Sequence, residues 1–231
     1  MQQLHNLREA WKKTRVQHIN LLRGILRELG VAAPSGTQAF LRQACELIER
    51  AEVCALRGAL QMVLAEISLC EQSMRDSEEQ LARWHADDDI VHKLDEVSGI
   101  GLLTASALKT AVGKPERFAS GRHLSAWLGM TPNEYSSGER RRLGCISCKG
   151  NTYVRTLLIH GARAALLAAK RCQTRTPERL TQLQRWALQT AERIGHNKAA
   201  VALANKLVRI CWAVWCHERR FSGDWQSARP A

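Results

Sequence analysis

Acidic residues are in short supply in this chain of 231 residues: 22 Asp and Glu stand against 34 Lys and Arg, a formal net charge of +12. Such a surface is positive over wide areas and attracts polyanions, nucleic acid first and an acidic membrane surface second. No run of apolar residues reaches the ~18 needed to cross a bilayer, so an integral membrane protein is not expected. The opening segment MQQLHNLREAWKKT lacks the apolar core of a secretory signal, so export is not expected and a cytoplasmic location is. Internal repeats and low-complexity tracts are missing too, which sets repeat architectures aside. The 8 histidines show no H-E-x-x-H or other metal spacing. Cys145-Ile146-Ser147-Cys148, with His160 downstream, has no second C-x-x-C to complete a four-ligand zinc site. Neither a metal nor another cofactor is expected in this chain. The 8 cysteines fall mostly inside helical patterns and read as reduced thiols.

What is present is helical periodicity. Leu4, Leu7, Trp11, Ile19, Leu22, Ile25, Leu26 and Leu29 predict one long amphipathic helix that stops at Gly30, ahead of the breakers Ala33-Pro34-Ser35-Gly36. Steps of three and four continue from Phe40 to Trp84 through Leu41, Ala44, Leu47, Ile48, Ala51, Leu56, Leu60, Val63, Leu64, Ile67 and Leu81, and predict long antiparallel helices in a coiled-coil-like hairpin. Asp87-Asp88-Asp89 marks a boundary at which a carboxylate caps the next helix, with metal binding as the weaker alternative. Two short helical patterns between Ile90 and Val112 flank Ser98-Gly99-Ile100-Gly101, and a short helix from Leu124 to Leu128 ends at Gly129. Thr131 to Asn151 has no helical period and is rich in Ser, Gly and Arg. Helices return at Thr152 to Arg171 and at Ala199 to Trp215, the latter apolar enough to be buried. The fold expected is all-α, divided into a helical coiled-coil region (1–89), a compact helical domain (90–220) and a disordered tail (221–231).

Two constellations bear on chemistry. Gly99-Ile100-Gly101 resembles the turn of a helix-hairpin-helix element, whose backbone N–H groups at a helix start hold a phosphate without reading bases; a helix corner that serves packing alone is the alternative. In Tyr135-Ser136-Ser137-Gly138-Glu139-Arg140-Arg141-Arg142, a serine beside a glycine can approach a phosphodiester while the guanidiniums neutralise it, an arrangement suited to a serine nucleophile. Solvated, inert loops of this composition are common. From Ser137 to Arg175 the cations Arg140, Arg141, Arg142, Lys149, Arg155, Arg163, Lys170, Arg171 and Arg175 accompany a single acid, Glu139, as in a backbone-binding surface.

The order of motifs is then familiar. Val97-Ser98-Gly99-Ile100-Gly101, Phe118-Ala119-Ser120-Gly121-Arg122, Ala126-Trp127-Leu128-Gly129, Ser136-Ser137-Gly138, Lys149-Gly150-Asn151, Val154-Arg155-Thr156-Leu157-Leu158 and Ala202-Leu203-Ala204-Asn205-Lys206-Leu207 resemble the carboxy-terminal domain of insertion sequence 110 family transposases, which include the Piv-type DNA invertases. Ile19-Asn20-Leu21-Leu22-Arg23-Gly24-Ile25-Leu26 resembles the coiled-coil region just before that domain. The resemblance implies that Ser137, with Ser136 as its neighbour and competitor, is the nucleophile that forms a phosphoserine link to DNA. It implies Arg140, Arg141, Arg142, Lys149 and Arg155 around the scissile phosphate. It also implies a separate amino-terminal RuvC-like domain, not in this sequence, whose carboxylates hold divalent metal, and a structured guide RNA as a partner beside DNA. One departure stands out: the family's Lys after the position of Ser147 is replaced by Cys148, and Lys149 comes one place late. The reading is a transposase fragment; the alternatives are a non-catalytic nucleic-acid-binding protein, or partner of a separately encoded catalytic half, and a structural helical scaffold. The apolar stripe of the long helices predicts a homo-oligomer.

Overall fold

The computed structural model describes residues 1–50, 54–140 and 142–224, and the chain divides after Arg83 into two compact units. In the first unit, α1 (Gln2–Glu28), α2 (Thr37–Arg50) and α3 (Cys54–Trp84, up to Arg83) are built from amphipathic sequence. The helix expected from Leu4 to Leu29 is α1, and Gly30, with φ 74°, follows its end. The stretch expected to run from Phe40 to Trp84 is two helices; Ala51, one of its pattern residues, lies outside the described residues. Ile19, Leu22, Leu26, Phe40, Leu47, Ile48, Leu60 and Ile67 form the core of this unit. Arg8 pairs with Glu78 and Arg15 with Glu71, both at 2.6 Å, so an advance of seven residues along α1 matches a retreat of seven along α3, and the two helices run antiparallel. Arg23 stacks over Phe40 at 4.7 Å and donates to the carbonyls of Pro34 and Ser35, closing the loop between α1 and α2. Met62 and Leu69, one heptad apart on α3, stay exposed.

The second unit holds α4 (Asp89–Asp95), α5 (Leu102–Val112), α6 (Gly121–Trp127), α7 (Thr152–Arg175), α8 (Gln182–Ile194) and α9 (His196–Cys216). The apolar helix α9 is the centre: Ala200, Leu203, Ala204, Leu207, Val208 and Cys211 are buried, and α4, α6, α7 and α8 pack around it. By length and composition α9 is apolar enough to cross a membrane, contrary to the expectation that no segment qualifies, and half of its apolar window is covered by these neighbours. Asp88 caps α4 as the acidic triplet suggested, accepting from the Val91 N–H at 3.2 Å. Its carboxylate also binds His85 at 2.9 Å and Lys109, which joins α4 to α5. Burial pushes the Asp88 carboxyl up, but the hydrogen bonds from Lys109, His85 and the Val91 N–H outweigh it and hold the pKa at about 2.

Two features add to the expected architecture. Residues Pro132–Glu134 (β1) and Leu143–Ile146 (β2) pair antiparallel, with Glu134 opposite Leu143 and Pro132 opposite Ile146, in the segment that showed no helical period. Helix α8 was not anticipated, although Thr181 and Gln184 form a reciprocal capping box at its start. The reading of 221–231 as a disordered tail is corrected for its described part. Phe221 packs on the core, the Gly223 carbonyl accepts from Leu183 N–H at 3.1 Å, and Asp224 accepts from Gln182 N–H at 3.0 Å. Residues 225–231 lie outside the described residues.

Candidate functional site

The Ser-Gly-Arg segment is the far end of the β1–β2 hairpin. Ser137 and Arg140 exchange both backbone hydrogen bonds, at 3.2 and 3.1 Å, around a tip of Gly138 and Glu139. Gly138, with φ 57°, occupies the first central position, where a type II′ turn calls for glycine. Farther down, Tyr135 N–H donates to the Arg142 carbonyl at 2.8 Å. Residues 134–140 and 142 are all exposed; Arg141 lies outside the described residues.

The two serines differ in their surroundings. The Ser136 hydroxyl donates to Glu134 Oε1 at 2.7 Å and accepts from the Arg142 N–H at 3.0 Å, so it braces one strand against the other. The Ser137 hydroxyl has no hydrogen bond among the described residues. The two-residue alternation of extended backbone places Glu134 and Ser136 on one side, where they meet, and Tyr135 and Ser137 on the other.

What holds the base of the hairpin was not foreseen. The backbone of Trp127 to Thr131 crosses that of Ser147 to Gly150 in direct contact: Ser147 N–H donates to Thr131 O at 2.8 Å and Cys148 N–H to Gly129 O at 3.1 Å. A Cβ on Gly129 (φ 72°) would overlap the Lys149 carbonyl, and one on Gly150 (φ 95°) the Trp127 carbonyl, so both positions need glycine for space as well as for backbone angle. Cys148, which stands where the family pattern has lysine, takes a left-handed φ of 53° in this crossing. Asn151 then caps α7 by accepting from Val154 N–H at 3.1 Å, and Asn205 of α9 donates to Met130 O at 3.0 Å.

Arg155, expected around a scissile phosphate, is held within this crossing. It projects from the first turn of α7 towards the loop and is 7% exposed. Its Nη1 donates to Leu128 O at 3.1 Å and Lys149 O at 3.3 Å, and its Nη2 to Thr152 Oγ1 at 3.1 Å. The guanidinium fastens α6, the loop and α7 together.

The Gly99-Ile100-Gly101 turn is packed against α7. A Cβ on Gly99 (φ 91°) would come within 2.8 Å of Gly161 O, and Gly161 presses back on the Gly99 carbonyl. Ile100 is 3% exposed and its N–H donates to Val97 O at 2.8 Å, so that N–H is engaged within the turn. Gly101, the N-cap of α5, is exposed.

The exposed cations are therefore Arg140, Arg142 and Lys149 near the hairpin, followed by Arg163, Lys170, Arg171 and Arg175 on α7, a helix with no acidic residue. Among the described residues no group of three or more His, Cys, Asp or Glu is arranged to hold a metal ion.

Comparison with known proteins agrees with the order of motifs. Residues 91–177 match the Transposase IS116/IS110/IS902 family. The chain is 35% identical over 222 residues to a probable family 20 transposase of Pseudomonas aeruginosa, covering 94% of this chain and 64% of that protein. It is 33% identical over 225 residues to the transposase for insertion sequence element IS1111A of Coxiella burnetii, covering 96% and 60% respectively. With the transposase for insertion sequence element IS1328 of Yersinia enterocolitica it shares 32% over 227 residues, 96% of this chain and 64% of the relative. The chain thus spans 60% to 64% of the length of these relatives. With the family match lying across the turn, the hairpin and α7, and with these relatives aligned along nearly all of its residues, the chain is similar to transposases of the IS116/IS110/IS902 family.

Proposed function

We propose that this chain is the serine-bearing, nucleic-acid-binding part of a transposase, with Ser137 as the nucleophile. The observation that carries this reading is the contrast between the serines: Ser136 is hydrogen-bonded as donor and as acceptor, whereas Ser137 sits at an exposed tip beside Arg140 with its hydroxyl unengaged among the described residues. In the step proposed, Ser137 Oγ loses its proton, forms a bond to the phosphorus of a DNA phosphodiester, and displaces one sugar oxygen, which leaves as a hydroxyl after taking up a proton. Arg140 and Arg142 neutralise the charge that grows on the phosphoryl oxygens. No part of this step is derived through a metal. Arg163, Lys170, Arg171 and Arg175 extend the backbone-binding surface along α7, and Gly101 at the start of α5 is the part of the turn left to meet a phosphate. DNA is the substrate of this reading, with a structured guide RNA as a further partner, and a second copy of the chain binds through the exposed stripe of α3.

One observation favours the second reading, a nucleic-acid-binding chain without catalysis of its own: the Glu134 carboxylate meets Ser136, and among the described residues no group accepts a hydrogen bond from the Ser137 hydroxyl. The experiment is incubation of the purified chain, alone and with added amino-terminal domain of a relative, with nicked DNA, followed by mass spectrometry of serine-linked nucleotides. The proposal expects an adduct on Ser137 that persists in Ser136→Ala and vanishes in Ser137→Ala. An adduct on Ser136, or none under either condition, rejects the assignment.

A further inference from the structure

Tyr135 is 65% exposed, an unusual position for an aromatic ring next to two serines. A Cβ on Gly144 would lie 2.8 Å from Tyr135 Cε2, so the ring rests against bare backbone on the opposite strand and is fixed there by a missing side chain. Tyr135, Arg142, Leu143 and Gly144 line a concavity of about 360 Å³, at the small end of ligand pockets. Its walls are an aromatic face, an aliphatic side chain that is 47% exposed and a guanidinium. An unpaired nucleobase matches that combination: every base has a π-face to stack on an aromatic ring, and its backbone phosphate seeks a cation.

We infer that Tyr135 is the stacking platform for an unpaired base of the DNA strand attacked by Ser137, with Arg142 on the adjoining phosphate. The inference rests on the nucleic-acid reading above and deepens it: the hairpin takes its substrate with one nucleotide out of the helix. Tyr135 and Ser137 lie on the same side of the strand, two residues apart, about the reach of one nucleotide step, so a base held by the ring places a neighbouring phosphodiester at the hydroxyl. Arg140 at the tip and Arg142 in the concavity bracket the same backbone.

The test uses the whole chain and short DNA oligonucleotides that carry 2-aminopurine, whose fluorescence falls when it stacks, in single-stranded form and in a perfect duplex. Wild type should bind the single strand more tightly than the duplex and quench the probe. Tyr135→Phe should behave as wild type, and Tyr135→Ala, with unchanged circular dichroism, should bind the single strand about 5- to 150-fold more weakly without quenching, the range that loss of one stacked base predicts. Equal binding by Tyr135→Ala and wild type, or a preference for duplex without quenching, overturns the platform while leaving the nucleic-acid reading in place. Quenching of an RNA oligonucleotide of the same sequence but not of the DNA overturns it as well, because the base then does not belong to the attacked strand. If wild type binds neither nucleic acid at low salt, both the inference and the reading beneath it fall.

Discussion

Replacing Arg155 by methionine keeps the length and apolar stem of the side chain and removes its five donors. Leu128 O, in a buried setting, and Lys149 O then lose their charged donor, and Thr152 Oγ1 loses a third contact. Hydrogen bonds to charged groups contribute about 1.5–3 kcal/mol, and a buried carbonyl left without a partner costs about 1–3 kcal/mol. Two carbonyls, one of them only partly buried, bring the expected loss to about 2–5 kcal/mol, a large share of the 5–15 kcal/mol of a typical domain. In a thermal melt this is a fall in Tm of roughly 5–15 °C for a domain of this size. An arginine whose work was to hold DNA phosphate would behave otherwise: its removal would change stability by about 0.5 kcal/mol or less, and would lower the slope of log K against log salt by about 1. Urea denaturation and a salt series of DNA binding, on the same variant, separate the two. A loss of stability below about 1 kcal/mol together with a reduced salt slope would refute the clamp.

The remaining predictions concern the crossing, the acid cap, the basic hairpin and self-association. Gly129→Ala should abolish folding of the second unit as judged by loss of a cooperative transition, because its Cβ overlaps the Lys149 carbonyl, whereas Gly113→Ala, also at positive φ but in open space, should cost about 1–2 kcal/mol; equal effects would show that space at Gly129 is not limiting. The Asp88 carboxyl is held at about 2, below its ordinary value of 3.8, so its stabilisation is complete above about pH 4 and is lost as the pH falls towards 2. Denaturant melts across that window should show a decline that is smaller in Asp88→Asn, by at most about 2 kcal/mol after solvent screening. Arg140→Ala combined with Arg142→Ala should flatten the salt dependence of DNA binding by a slope of about 2, and an unchanged slope places the phosphate contacts elsewhere. Met62→Glu with Leu69→Glu should convert a concentration-dependent assembly to monomer in sedimentation; a wild-type chain that is monomeric at every concentration removes the need for a partner on α3.

Several parts of this protein were legible one residue at a time. Gly30 and Gly129 marked helix ends, Asp88 marked a helix start, and the three- and four-residue steps of Leu22, Leu26, Leu203 and Leu207 marked buried faces, because caps and amphipathic stripes are local consequences of helix geometry. Helix α8 is equally legible through the capping box of Thr181 and Gln184. The hairpin was not, since strands as short as β1 and β2 carry too few residues for a two-residue period to register. Charge balance pointed to a polyanion, and the spacing of the motifs to the family. Tertiary structure alone assigned the individual side chains. Arg155 reads in sequence as one more cation in a basic segment; only the meeting of Leu128 O and Lys149 O, brought together by two glycines at a backbone crossing, engages its guanidinium in the interior. Ser136 and Ser137 are chemically identical neighbours, and the pairing of the strands hands one of them Glu134 and the Arg142 N–H while leaving the other at the tip. Composition and periodicity are sums over the chain and survive without coordinates, whereas a hydrogen bond belongs to one pair of atoms and exists only once distant segments have been placed within 3 Å or so of each other.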